Sequence, residues 1–170
     1  MSNLKPSSRT LIVLAVLAAM PGIAEAAASK AAQQFVATAG HAGTYEVQAG
    51  ELAVQRATSP DVKSFAQQMV TDHTKIGEAL KTAAGAMPLP AKLDVKHTKE
   101  LAELKVAPAG SFDALYLKQQ LDAHEKAVAL LKVESSKGDD PALKSFAATN
   151  LPTLQHHLEM VQALEKTQSK

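Results

Sequence analysis

The chain contains no cysteine and no tryptophan, and its only aromatic rings outside histidine are two tyrosines and four phenylalanines. Without cysteine there can be no disulfide, no thiolate metal site, no cysteine nucleophile and no lipidated N-terminal cysteine. Charge of one sign is also lacking. Eighteen basic residues face seventeen acidic ones, a formal net charge of +1. No strong field therefore points to nucleic acid or to an anionic surface. There is no glycine-rich phosphate loop. Ser59 and Ser111 read as helix caps with no His–Asp pair to make either a nucleophile. What the chain does have is alanine, leucine, lysine and glutamine, a composition that favours helix over sheet, and a length that fits one domain.

Residues 1–26 read as a signal peptide. Lys5 and Arg9 give a positive start, Leu11 to Met20 form a short apolar run, Pro21-Gly22 break it, and Ala24-Glu25-Ala26 fits a small-x-small cleavage site. The run is shorter than the ~20 residues a membrane span needs. Cleavage after Ala26 would leave sixteen basic and sixteen acidic residues, and the expected location is the periplasm, with outer-membrane association left open. Later apolar stretches are interrupted by charges, so no transmembrane segment is expected in the mature chain.

Residues 27–32 are small and polar and read as a flexible N-terminus. Helical spacing then predicts a helix over 33–57, weakened by Gly40, Gly43 and Gly50 but offering a face of small residues for close approach. A second helix covers 60–84, with Ser59 as cap, Pro60 at the first position and Asp61 at the positive end of the dipole. Its stripe is Val62, Phe65, Met69, Ile76 and Leu80. Residues 85–111 form a long connection carrying a short amphipathic helix. Helices over 112–136 and 141–167 follow, separated by Lys137-Gly-Asp-Asp140. Pro152 is expected to kink or split the last of them. The segment Lys63-Ser-Phe-Ala66 recurs as Lys144-Ser-Phe-Ala147, each after a cap and a proline. The fold expected for the single domain 33–167 is all-α: a ferritin-like four-helix bundle of two antiparallel hairpins, joined by a long crossover with a short helix.

Four runs and one single histidine carry a family likeness. They are Glu46-x-x-x-Gly50-x-Leu52-Ala53, Val62-Lys-x-Phe-Ala-x-x-Met-Val-x-Asp-His73, and Phe112-Asp-x-x-Tyr116 with His124 and Leu151-Pro-x-Leu-x-x-His157. Over residues 33–165 the chain resembles the bacterial domain of unknown function family 4142. The resemblance implies a ferritin-like helical bundle, exported and often described as periplasmic or outer-membrane. It implies no established activity.

Three histidines stand where apolar residues would pack: His73, His124 and His157, each on the apolar stripe of a different helix. With Glu46 they make a candidate metal set, in which imidazole and carboxylate ligands suit Zn, Fe, Mn, Cu or Ni. Asp72, Glu125, His156 and Glu159 lie beside them in sequence. No Glu-x-x-His pair occurs anywhere in the chain, which disfavours the familiar di-iron site and leaves a mononuclear one. The competing explanation is that each histidine is a core polar residue bonded to a neighbouring helix. Three functions follow: an exported metal-binding protein; a periplasmic metalloenzyme acting on oxygen or peroxide species; or a structural or interaction protein of the envelope, with an envelope protein or a second copy as partner. No catalytic residue is assigned. Asp113 is expected to answer its own helix dipole, Tyr116 to hold its hydroxyl at an edge, and His97 and Glu100 to lie on the surface.

Overall fold

Ser29 opens the fold in the computed structural model, which describes residues 28–168. Its Oγ accepts the Ala32 N–H at 3.0 Å, and helix α1 runs Lys30–Arg56. The helix thus begins three residues before Gln33, inside the segment expected to be flexible, because a serine cap satisfies one of its free N–H groups. Helix α2, Pro60–Ala84, has Ser59 as its cap and Pro60 in its first turn, and it ends at Gly85, whose φ of 57° needs no side chain. The expected leader, residues 1–26, lies outside the described residues.

Helix α3, Val95–Val106, starts where Asp94 Oδ1 accepts the His97 N–H at 2.8 Å. Helix α4, Ala109–Lys137, begins three residues ahead of Phe112. Pro108 sets the entry, and Ser111 sits inside the first turn, donating its hydroxyl to the Pro108 carbonyl instead of capping. Helix α5, Pro141–Gln168, is capped by Asp140, which accepts from Ala142 and Leu143 N–H at 2.8 and 3.0 Å. The helix runs through Pro152 without splitting. Among the described residues the chain is all-α, with no strand, and no helix is long and apolar enough to cross a membrane.

Two side chains tie the ends of these helices together. Asp113 does not serve its own helix. Its carboxylate accepts from Thr58 N–H, Thr58 Oγ1 and Ser59 N–H, the last two at 2.8 Å. The unpaired N–H groups ahead of α2 give it more partners than the start of α4 would. Arg56 donates to the carbonyls of Leu104, Lys105 and Ala107 at the end of α3, with its guanidinium 4.7 Å from the Phe112 ring centre. That arrangement uses the planar fork of arginine twice, for hydrogen bonds and for the aromatic face.

Helices α1 and α2 pack along each other, as do α4 and α5, and α2–α5 and α1–α4 contacts join the pairs; α3 lies mainly against α1. Gly50 lets α1 approach α2: a Cβ there would stand 2.9 Å from Val70 Cγ2 and 3.2 Å from the Ala66 carbonyl. The apolar interior forms two clusters. One gathers Tyr45, Phe65, Met69, Leu104, Phe112 and Leu117. The other gathers Phe35, Leu80, Leu131, Leu143, Phe146 and Leu154. On α2, α4 and α5, the residues between the two clusters are His73, then Gln120 and His124, then His157, all buried. Glu46 stands at the same boundary on α1.

Candidate metal centre

The polar layer is held at mid-depth by helical spacing. Met69 and His73 are one turn apart on α2, and Gln120, His124 and Val128 follow one another at four-residue steps on α4. Leu154, His157 and Val161 share a face of α5. Where the apolar stripes meet, the histidines must meet too. One nitrogen from each of His73, His124 and His157 lies within 4.8 Å of the others. The three ring centres are 5.4 Å apart in every pair. His124 and His157 are fully buried and His73 nearly so.

The outer nitrogens of two rings are already committed. His124 Nδ1 lies 2.9 Å from the Gln120 carbonyl, which can only accept, so Nδ1 carries the proton and Nε2 the lone pair. That Nε2 faces His73 Nε2 at 3.4 Å. The separation is long for a hydrogen bond, and it equals the ~3.3–3.4 Å expected between two nitrogens bound at ~2.0–2.1 Å to one tetrahedral ion. His157 Nε2 donates to Asp72 Oδ2 at 3.1 Å, which leaves its lone pair on Nδ1. That Nδ1 is buried and has no hydrogen-bond partner. A carboxylate or carbonyl behind each imidazole is the support that metal-ligating histidines usually have. Asp72 therefore bonds across to α5 and not to its neighbour His73.

Electrostatics keep the rings available. Burial pushes His73 well below its ordinary value, with His124 and His157 adding to the effect. Burial lowers His124 to about 4, against the opposing bond to Gln120. Burial also lowers His157, although Asp72 works the other way. All three are neutral at pH 7, the protonation state a metal requires.

Glu46 is buried beside this cluster but does not converge with it. Its Oε1 is 3.8 Å from His124 Nδ1, the nitrogen turned away from His73, while Oε2 has no partner. Burial raises its carboxyl to about 8; the nearby Gln120 amide opposes the rise without completing a hydrogen bond from either of its atoms. Glu125, His156 and Glu159 are exposed and stay outside the site.

His97 is not on the surface: its ring lies against Tyr45 with centres 5.2 Å apart, and its Nδ1 is 2.9 Å from Asp94 Oδ1. Tyr116 is fully buried with its hydroxyl unpartnered, because the Phe112 and Phe65 rings enclose it. Gln120 is also fully buried, and its one signal in the sequence is its place four residues after Tyr116 and four before His124.

The family model described as "Domain of unknown function (DUF4142)" matches residues 18–164. No curated protein matches the chain. A solved structure, that of a DUF305 fragment from Deinococcus radiodurans, is similar with a TM-score of 0.70. The similarity covers 82% of this chain and 98% of that one at 16% identity, and so speaks for the fold alone. The family match spans most of the helical core and all three histidines, and the chain accordingly belongs to the DUF4142 family.

Proposed function

We propose that the protein is an exported periplasmic metal-binding protein that holds one transition metal ion through His73, His124 and His157. In this reading α1–α2 and α4–α5 are the two antiparallel hairpins of a ferritin-like four-helix bundle, and residues 85–108, with α3, are the long crossover. The observation that carries the reading is the convergence of three buried, neutral imidazoles within 4.8 Å. Two of them have their outer N–H anchored by Gln120 and Asp72. A trio of such rings with no ion would leave the His157 Nδ1 lone pair buried and unsatisfied, a cost of roughly 1–3 kcal/mol. Three nitrogen ligands and no sulfur suit zinc, copper, iron or manganese, and with Asp72 spent on the outer nitrogen of His157 and Glu46 the one other carboxylate beside the rings, too few ligands remain for a second ion. Glu46, beside His124 Nδ1 on the side away from His73, is not one of the ligands in this arrangement.

A second reading, a metalloenzyme acting on oxygen or peroxide species, is favoured by one feature. His73 and Glu46 line a cleft open to solvent, and three protein ligands leave a fourth position free. Elemental analysis of tag-free protein from a periplasmic fraction tests both. Near-stoichiometric metal that disappears in the His73→Ala/His124→Ala double variant supports the site, and redox or peroxide assays of the loaded protein then separate carrier from enzyme. Metal-free protein with no thermal shift on adding Zn, Mn, Fe or Cu would leave the histidines as core polar residues of a structural or interaction protein.

A further inference from the structure

A cleft of about 1120 Å³ opens between α1, α2, the segment after α2, and α4. Of the three converging histidines, only His73 lines it. His73 keeps 5% of its surface exposed, while His124 and His157 keep none. Its ring therefore stands between the cleft and the other two rings, with Nε2 turned inward to His124 Nε2 at 3.4 Å.

The three rings are held differently. Turning His124 would break the bond from its Nδ1 to the Gln120 carbonyl, and turning His157 would break the bond from its Nε2 to Asp72. Each such loss inside the core is expensive. His73 has no such tie: its one polar contact among the described residues is the long one to His124. Swinging its side chain towards the cleft breaks no bond to the backbone or to a carboxylate. The cleft wall beside it is bare. Gly77 follows His73 by four residues on the same helix face, and a Cβ added there would meet nothing within 4 Å. Gly43, on the α1 wall, is equally open.

The charges along the cleft suit a cation. Lys96 and Lys126 are held by Glu100 and Asp122 at 2.7 and 3.1 Å, which leaves Lys81 against three carboxylates, Glu51, Glu78 and Asp94. Asp94 keeps its charge although it is bonded to His97, because burial holds that imidazole neutral. A surplus of carboxylates along a cleft raises the local concentration of cations.

We infer that this cleft is the path by which the metal ion enters and leaves, and that His73 is the ligand that swings to admit it. The path presupposes the three-histidine site proposed above. His124 and His157 form a fixed pair, held by Gln120 and Asp72, and His73 closes over the ion last and opens first. One path serves both directions, so narrowing it slows loading and release by the same factor and leaves affinity alone.

Cobalt(II), whose visible absorption reports nitrogen coordination, tests this by stopped flow on metal-stripped, tag-free protein. Release is followed under excess EDTA, at concentrations over which its rate is constant. In Gly77→Leu the new side chain leans back over His73, as side chains on a helix lean towards its start. Gly43→Leu narrows the same cleft from α1. Each is expected to slow both uptake and release about tenfold or more, with the dissociation constant within about twofold of wild type and helical circular dichroism retained. Gly110→Leu, at an exposed position in α4 that does not line the cleft, is expected to leave both rates as they are. Unchanged rates in both folded cleft variants would overturn the path and leave the site standing, with the ion arriving elsewhere, such as past Asp72. Slower uptake with unchanged release would overturn it too, since that is weaker binding and not a narrower path. Wild-type protein that takes up no cobalt would overturn the site itself, and the path with it.

Discussion

Replacing Glu46 by Gln should remove one limb of the pH–stability profile and leave the other. The folded protein holds the Glu46 proton up to about pH 8, against an ordinary value of 4.5, because burial penalises the carboxylate. Folding therefore takes up a proton between those values, and stability falls as pH rises, by about 1.4 kcal/mol per unit. From pH 6.5 to 8 the contribution of Glu46 falls by about 2 kcal/mol, since the slope flattens near the folded value. The histidines act in the opposite sense. Their folded values lie below 6.5, so the unfolded chain binds protons more readily and stability is lost as pH falls below 6.5. For His124, lowered to about 4, that loss reaches on the order of 3 kcal/mol by pH 4. Metal-free wild type should thus be most stable near pH 6.5. Glu46→Gln keeps the shape of the side chain and cannot ionise, so from pH 6.5 to 8 its stability should rise by about 1 kcal/mol as the unfolded chain sheds its last histidine protons, while its advantage over wild type grows by about 2 kcal/mol, and it should still fall in acid. Equilibrium urea unfolding at pH 5, 6.5 and 8 reads all three points. A difference in stability between variant and wild type that does not change from pH 6.5 to 8 would refute the assignment of a buried neutral carboxyl.

Asp72→Asn should weaken metal affinity about 10–100-fold with little change in unfolding temperature, because Asp72 acts by orienting His157 from the protein surface; competition against a chromophoric chelator measures it. Arg56→Lys should destabilise by about 2–3 kcal/mol in urea unfolding, since an ammonium cannot serve three carbonyls and lie over Phe112 at once. Gly50→Ala should cost about 1–3 kcal/mol in the same assay, as its methyl group would press on Val70 and on the rigid Ala66 carbonyl.

The parts of the fold that were legible rest on local chemistry. Ser59-Pro60-Asp61 announces the start of α2, and Asp140-Pro141 that of α5, because caps act within a turn of the helix they serve. The all-α class follows from apolar spacing alone. The meeting of His73, His124 and His157 was foreseeable for the same reason, since each replaces an apolar residue in a stripe and stripes face one another. Long-range partners were not legible. Asp113 looks like a helix-start residue, yet its carboxylate is spent on the turn at Thr58–Ser59. His97 is polar and sits on a short helix, and only the ring of Tyr45 from α1 buries it. Glu46 belongs to the right layer, but a one-dimensional pattern cannot say that its carboxyl lies beside His124 Nδ1 and not Nε2. Ser111 resembles a cap because the sequence does not reveal that Pro108 has already started α4.

The ligand set itself is open to direct measurement. Metal-stripped, tag-free protein loaded with one equivalent of zinc can be studied by X-ray absorption at the zinc edge. Nitrogen bound to zinc at about 2.0–2.1 Å, with more distant scattering from three imidazoles, is expected, and that signature should be lost in His124→Ala. A shell of oxygen alone, fewer than two imidazoles, or an unchanged spectrum in the variant would contradict a site built from His73, His124 and His157.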